Sequence, residues 1–322
     1  MEKSSKANIV VSLLFLTFLL IPISISILSK SELVSSSEKR KLADFPTIEL
    51  TKSSITAFPG NFGFRSSIVW LHNYTLCKFF HISPSDLVTI GRNDWFYYNG
   101  NDAMLDFIGQ IQFGKIRLEK FAQLLRDRSY WLNSSGSYYL FIPIPNKEII
   151  YPEHLPARLR INRGANKYDQ LVGYLREHSS FRNYLDVERI MLENKDDHLF
   201  FKTDSHWNNN GVYVVYRELV KKLQNWFHDL VMLEPSDQKK WLDGYSGDLM
   251  VFMNLKWMVT ERAPYMNTKD LCKPRKAERM NYLKDFPEYS DVRSIRLPVK
   301  EGCDNKKSKI MLIHDSFGTS LR

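Results

Sequence analysis

The apolar residues of the chain fall into one long run and several short or periodic ones. Ala7–Leu28 reads ANIVVSLLFLTFLLIPISISIL, 22 residues without a charge. At about 1.5 Å of rise per residue such a helix spans a hydrocarbon core of about 30 Å. Further along, Tyr138–Ile142 (YYLFI), ended by Pro143 and Pro145, predicts a buried strand reaching a loop. Leu118, Phe121, Leu125 and Leu132 fall at near-helical spacing before it. Tyr168, Leu171, Val172 and Leu175 mark a second amphipathic helix after it, and Tyr184–Val187 reads as the next strand. The clearest helix is Val212–Phe227, with Val212, Val215, Tyr216, Leu219, Leu223, Trp226 and Phe227 on one stripe and Asn208, Asn209 and Asn210 as N-cap candidates. Ile310–Ile313 (IMLI) predicts a last buried strand, running into His314-Asp315-Ser316-Phe317-Gly318. The alternation predicts an α/β domain with a largely parallel sheet.

The long run organises the rest. It predicts a transmembrane signal anchor over residues 7–28, with residues 1–6 before it, a polar, Ser-rich linker over 29–57 and a domain over 58–322. Lys3 and Lys6 precede the run and suit a cytoplasmic N-terminus, but Lys30, Lys39, Arg40 and Lys41 follow, so the charge count leaves orientation open. A cleaved signal peptide is the rival reading. The run exceeds the 7–15 apolar residues usual for one, which favours an uncleaved anchor.

With 322 residues the chain can bury a full core, and 13% aromatic residues argue against disorder. Three cysteines, Cys77, Cys272 and Cys303, exclude a disulfide scaffold and show no paired CxxC zinc spacing. The 45 Lys and Arg against 36 Asp and Glu give a net charge of +9, which admits an acidic partner without choosing among nucleic acid, anionic lipid and acidic polysaccharide. A nucleic-acid role has no support beyond this charge, because no aromatic-basic binding motif accompanies it.

Two segments carry candidate chemistry. Thr203-Asp204-Ser205-His206-Trp207-Asn208 stands just before the strongest helix, and His314-Asp315-Ser316-Phe317-Gly318 just after an apolar run. A serine hydroxyl becomes a nucleophile when an imidazole takes its proton, and that imidazole needs an acceptor on its other nitrogen. Asp204 and His206 can supply acceptor and base, with Ser316 as nucleophile. The nearby helix N-terminus disfavours imidazolium by about 0.3–1 kcal/mol while Asp204 favours it, a balance that places His206 near the operating pH. The bland alternatives are loop capping for Asp-x-His and a turn for Asp-Ser. A second chemical reading takes Asp204, His206, His314 and Asp315 as metal ligands of a phosphoesterase-like site.

TDSHWNNNG and IHDSFG resemble the D-T-H-W-N-x-x-G and D-S-F-G segments of the SGNH hydrolase-like domain of alginate O-acetyltransferases. The likeness continues, in order, through Glu38–Pro46 (EKRKLADFP), Asn61–Arg65 (NFGFR), Gly91–Tyr97 (GRNDWFY), Pro143–Pro156 (PIPNKEIIYPEHLP) and Gly247-Asp248-Leu249. The resemblance implies an SGNH hydrolase-like fold, a flavodoxin-like three-layer sandwich with permuted motif order. It implies Asp204, His206 and Ser316 as the triad, and no cofactor or metal. The implied reaction moves an acetyl group through an acetyl-serine to hydroxyls of an extracytoplasmic, alginate-like polysaccharide, with a membrane-bound O-acyltransferase as acetyl supplier. It also implies a single-pass inner-membrane protein with its soluble domain in the periplasm. A carbohydrate esterase with the same triad, and a non-catalytic polysaccharide-binding or scaffold subunit, remain alternatives.

Other segments carry blander expectations. Trp95, Phe96 and Tyr97 are expected in the core, PNKEIIYPEHLP as a loop-shaping segment, Lys147 as a solvated lysine, and Lys273, Arg275, Lys276 and Arg279 as a solvated face. The sequence ends at Arg322, six residues after Ser316, where the family continues with a further helix and strands, so a C-terminally incomplete domain is expected.

Overall fold

The computed structural model describes residues 9–17, 20, 21, 24, 65–232, 240–265, 275–276, 300–301 and 310–318. Of the expected span Ala7–Leu28, the described residues are helical with exposed side chains. Among the described residues no helix is long and apolar enough to cross a membrane. The remainder of that span, the linker and positions 58–64 lie outside the described residues, as do Cys272, Cys303, Lys273 and Arg279.

The body opens with α1 (Arg65–Phe79) and a hairpin of β1 (Val88–Ile90) and β2 (Phe96–Tyr98), antiparallel with Thr89 opposite Tyr97. Asn93 and Asp94 at its turn have φ of 58° and 60°, the left-handed conformation that suits the twist of a tight hairpin. Trp95, Phe96 and Tyr97 are buried, as their apolar run predicts. Then come α2 (Ala103–Phe107), α3 (Lys115–Ser134), α4 (Lys147–Ile150), α5 (Ala157–Ile161), α6 (Lys167–His178) and α7 (Val187–Glu193). After them stand α8 (Asn209–Gln224), β3 (Lys240–Tyr245), α9 (Asp248–Phe252), β4 (Glu261–Tyr265), β5 (Arg275–Lys276) and β6 (Lys300–Glu301).

The amphipathic helices form where periodicity places them. Helix α6 starts at Asn166, whose side chain accepts from Asp169 N–H while the Asp169 carboxylate accepts from Asn166 N–H. It buries Leu171 and Leu175 against Ala122 and Leu125 of α3. Helix α8 begins and ends three residues earlier than the apolar stripe suggests. The Asn208 side chain caps it by accepting from Asn210 and Gly211 N–H, at 2.9 and 3.2 Å. Trp226 and Phe227 lie past its end, where Tyr138 stacks on the Trp226 ring.

Of the expected parallel sheet, the described residues show only a single step. Among the described residues the strands pair as three antiparallel two-stranded ladders, and the parallel element is one bridge, Phe141 to Tyr184. Two hydrogen bonds make it: Phe141 N–H to Asn183 carbonyl and Leu185 N–H to Phe141 carbonyl. The strand expected over Tyr184–Val187 stops there because the Asp186 carboxylate accepts from Arg189 N–H and starts α7. Ile310–Ile313 is exposed and has no ladder partner among the described residues, so an apolar run alone does not make it a strand.

A large apolar cluster joins the hairpin, α2, α4, α7 and α8 through Trp95, Tyr97, Phe107, Ile150, Val187, Leu199, Trp207 and Val215. A second cluster joins α1 to α9 through Cys77, Leu249, Met250 and Leu255. The stretch 199–208 gives Leu199, Phe200 and Trp207 to the first cluster, and it carries Asp204 and His206.

Candidate active site

Residues 201–204 are held from both sides by charged side chains. From β4, the Glu261 carboxylate accepts from Lys202 N–H (2.8 Å), Thr203 N–H (2.7 Å) and the Thr203 hydroxyl (2.6 Å). From α4, the Lys147 ammonium donates to the carbonyls of Phe201 (3.0 Å), Lys202 (3.2 Å) and Asp204 (2.6 Å). Lys147 is therefore not the solvated lysine its sequence context suggests. It is 2% exposed, and its ammonium stands over the rings of Trp95 and Tyr97 at 5.7 and 5.3 Å. Burial pushes its pKa down to about 8, with Glu261 and Asp204 opposing, so it stays cationic at neutral pH. The carbonyls supply the partial negative charge that a buried cation requires.

This frame aims Asp204. One carboxylate oxygen accepts from the His206 backbone N–H (3.0 Å) and lies 2.8 Å from His206 Nδ1. The other accepts from the Tyr245 hydroxyl (2.9 Å) and Asp248 N–H (3.1 Å). Burial by itself raises the carboxyl, but the bonds from His206, Asp248 and Tyr245 outweigh it and hold Asp204 well below the usual carboxylate range. The hydrogen bond that His206 donates to Asp204 raises the His206 pKa, against desolvation. The balance expected from sequence thus tips toward the imidazolium.

Gly247 makes the close approach possible. A Cβ there would lie 2.5 Å from both the Asp204 Cβ and the Thr203 carbonyl oxygen. The next residue, Asp248, accepts from Ser205 N–H (2.7 Å) and the Ser205 hydroxyl (2.5 Å), and one of its oxygens lies 3.6 Å from His206 Nδ1. Burial, then the neighbouring Asp204 charge, raises the Asp248 pKa.

With Nδ1 facing Asp204, Nε2 is the nitrogen left to meet a nucleophile. The segment bearing Ser316 adjoins this histidine through its next residue. The Phe317 ring lies 4.9 Å from the His206 ring and 5.9 Å from Trp207, and the Phe317 carbonyl accepts from Trp207 Nε1–H at 3.1 Å. Ser316 itself is exposed, and among the described residues its hydroxyl makes no hydrogen bond to His206. Asp315 starts the turn, its carboxylate accepting from Phe317 N–H.

For the metal reading, the described donors within 4.8 Å of one another are Asp204, His206 and Asp248, whereas His314 Nδ1 contacts the Asp315 backbone carbonyl. The structure thus does not gather the four ligands that spacing suggests. All three gathered donors are engaged in the hydrogen bonds just described, an arrangement suited to moving a proton. A cavity of 370 Å³ is lined by Lys78, Asp94, Lys202, Thr203, Glu261 and Arg262 among others, and not by Asp204 or His206.

The family described as SGNH hydrolase-like domain, acetyltransferase AlgX, matches residues 88–285, more than half of the chain. The chain belongs to this family. The matched range contains the segments noted in the sequence from Gly91–Tyr97 to Gly247-Asp248-Leu249 and ends before Ser316. Among solved structures, the O-acetyltransferase domain of Pseudomonas putida AlgJ is 20% identical, with 56% of this chain and 65% of that chain covered and a TM-score of 0.37. Bacillus cereus PatB1 is 14% identical, with 59% and 61% covered and a TM-score of 0.41. A DHHW family protein from Eubacterium siraeum is 15% identical, with 45% and 46% covered and a TM-score of 0.34. The chain spans less than two thirds of each of these proteins. No curated protein matches.

Tyr245, Asp248, Glu261 and Lys147 have no role in the spacing argument. They lie 41 to 58 residues from the Asp-x-His loop they serve. The signal that pointed to one of them was Gly247-Asp248-Leu249, a segment matched without a function.

Proposed function

We propose that this AlgX-family domain is an O-acyltransferase that moves an acetyl group by way of Ser316 to hydroxyls of an extracytoplasmic, alginate-like polysaccharide. The observation that carries the reading is the 2.8 Å contact of His206 Nδ1 with Asp204, which leaves Nε2 as base beside the Ser316 segment. In the first step Ser316 Oγ attacks the donor's acetyl carbonyl and gives its proton to His206 Nε2, which returns it to the leaving group. In the second, an acceptor hydroxyl gives its proton to the same nitrogen and attacks the acetyl-serine, and Nε2 returns the proton to the departing Ser316 Oγ. Asp204 stays ionised and holds the Nδ1–H tautomer throughout.

The apolar run Ala7–Leu28 supports a single-pass anchor in the inner membrane, and the family resemblance supports a domain on the periplasmic side. A membrane-bound O-acyltransferase would then supply the acetyl group. The net charge of +9 suits an acidic acceptor. Treating the protein and its Ser316→Ala variant with an acetyl ester donor tests the reading by intact-mass measurement. An added acetyl group in the parent alone supports it, and equal labelling of both overturns it. Product analysis with a polysaccharide acceptor then separates transfer from hydrolysis.

A further inference from the structure

Ser205, between the two residues of the Asp-x-His pair, lies where its hydroxyl can spoil the site. Its Oγ is 3.2 Å from His206 Nδ1, close enough either to accept from Nδ1–H or to donate to a bare Nδ1. Donation would favour the tautomer with its proton on Nε2, and such an imidazole cannot take a proton from a nucleophile. What decides between the two is Asp248. One of its oxygens accepts from Ser205 N–H at 2.7 Å, which fixes the carboxylate, and the other accepts the Ser205 hydroxyl proton at 2.5 Å. The hydroxyl hydrogen is thereby turned away from His206, and Ser205 Oγ presents a lone pair to Nδ1.

We propose that Asp248 is a positioning residue that reinforces the His206 tautomer held by Asp204, acting through Ser205, so that Nδ1–H has two acceptors, Asp204 Oδ1 and Ser205 Oγ. The inference rests on reading His206 as the base of the site. It assigns Asp248 no direct contact with substrate and no proton to carry.

The experiment uses an epistasis that a structural role would not produce. In Asp248→Asn the amide oxygen can keep the bond from Ser205 N–H, while the amide NH₂ faces Ser205 Oγ and donates to it. The hydroxyl then turns its hydrogen toward Nδ1. In the full 322-residue chain, ¹⁵N NMR of the neutral His206 ring should show predominantly Nδ1–H in the parent and a gain of Nε2–H in Asp248→Asn. Adding Ser205→Ala removes the wrong donor and should restore Nδ1–H. In acetyl transfer, kcat should fall by about ten- to a hundredfold in Asp248→Asn with KM unchanged, short of the about 10⁴ that a wholly wrong tautomer costs a triad, and recover in the double variant. An unchanged tautomer in Asp248→Asn, or no restoration by Ser205→Ala, overturns the proposal. Should Asp248→Asn fail to fold, Asp204→Asn leaves Ser205 as the remaining acceptor. Adding Ser205→Ala to it should lower the Nδ1–H fraction further, and no change overturns the proposal. The NMR readout needs no acetyl donor. A chain that shows the tautomer pattern but transfers no acetyl group refutes the proposed function and leaves this inference standing.

Discussion

The Lys147 ammonium lies 2.6 Å from the backbone carbonyl of Asp204, so a buried cation fixes the peptide of the very carboxylate that orients His206. Replacing it by the similarly long but neutral methionine removes this donor from the carbonyls of Phe201 and Asp204, whereas Lys202 keeps the bond it accepts from Phe96 N–H. Lys147→Met should destabilise the fold by about 1–3 kcal/mol for each stranded acceptor. Urea unfolding measures this, and kcat should drop more than KM rises.

Gly247→Ala tests how closely Asp204 is packed. Glycine's conformational freedom is not at issue, since its φ of −82° suits any residue, so the effect is purely steric. The added methyl must push Asp204 or the Thr203 carbonyl away from 2.5 Å contacts. A loss of about 1–3 kcal/mol is expected, the usual cost of overpacking. The acetyl-enzyme should form at least about tenfold more slowly, since small misplacements of catalytic groups are costly.

Because Asp204 raises the His206 pKa, the acid limb of kcat/KM should lie above 6.5, the ordinary value for imidazole. Below its pKa the ring is already protonated and cannot act as base. Asp204→Asn removes the raising charge, so the limb should move to lower pH while kcat falls by about 10⁴ at its plateau. A limb that stays in place would separate His206 from the observed titration.

Glu148, beside Lys147 on α4, is buried, and burial raises its carboxyl to about 7 from 4.5, with hydrogen bonds including one from Asn146 opposing. Between these two values the folded protein binds more protons than the unfolded chain, so this group's contribution to stability is complete below about 4.5 and is lost as pH rises through about 7. The loss is on the order of 3 kcal/mol. Thermal melts should find Glu148→Gln gaining on the parent at pH 8 relative to pH 4. Asp204 works in the opposite sense. Its lowered pKa gives stability that is present above the usual carboxylate range and lost in acid.

What could be read from sequence was what neighbours in sequence decide. Leu171, Val172 and Leu175 are buried together because of helical period alone, and Asp204 reaches His206 across two residues with Asn208 capping the next helix. Partners far along the chain were not legible. The Phe141–Tyr184 bridge shows an apolar run pairing for a single step before Asp186 turns the chain into a helix. Lys147 shows why residue type misleads about burial: its destination depends on carbonyls that the chain supplies 54 to 57 residues later. Ser316 stood out by its motif. The structure places its neighbour Phe317 against His206 and shows the serine itself exposed.

The opposite charges of Glu261 and Lys147 on the two sides of residues 201–204 also bear on how such a domain diversifies. Changing either partner alone leaves the other facing backbone dipoles that the loop no longer balances, so a one-step mutational path crosses a stability valley. Substitution at an exposed position away from this pair, such as Trp257, creates no such imbalance.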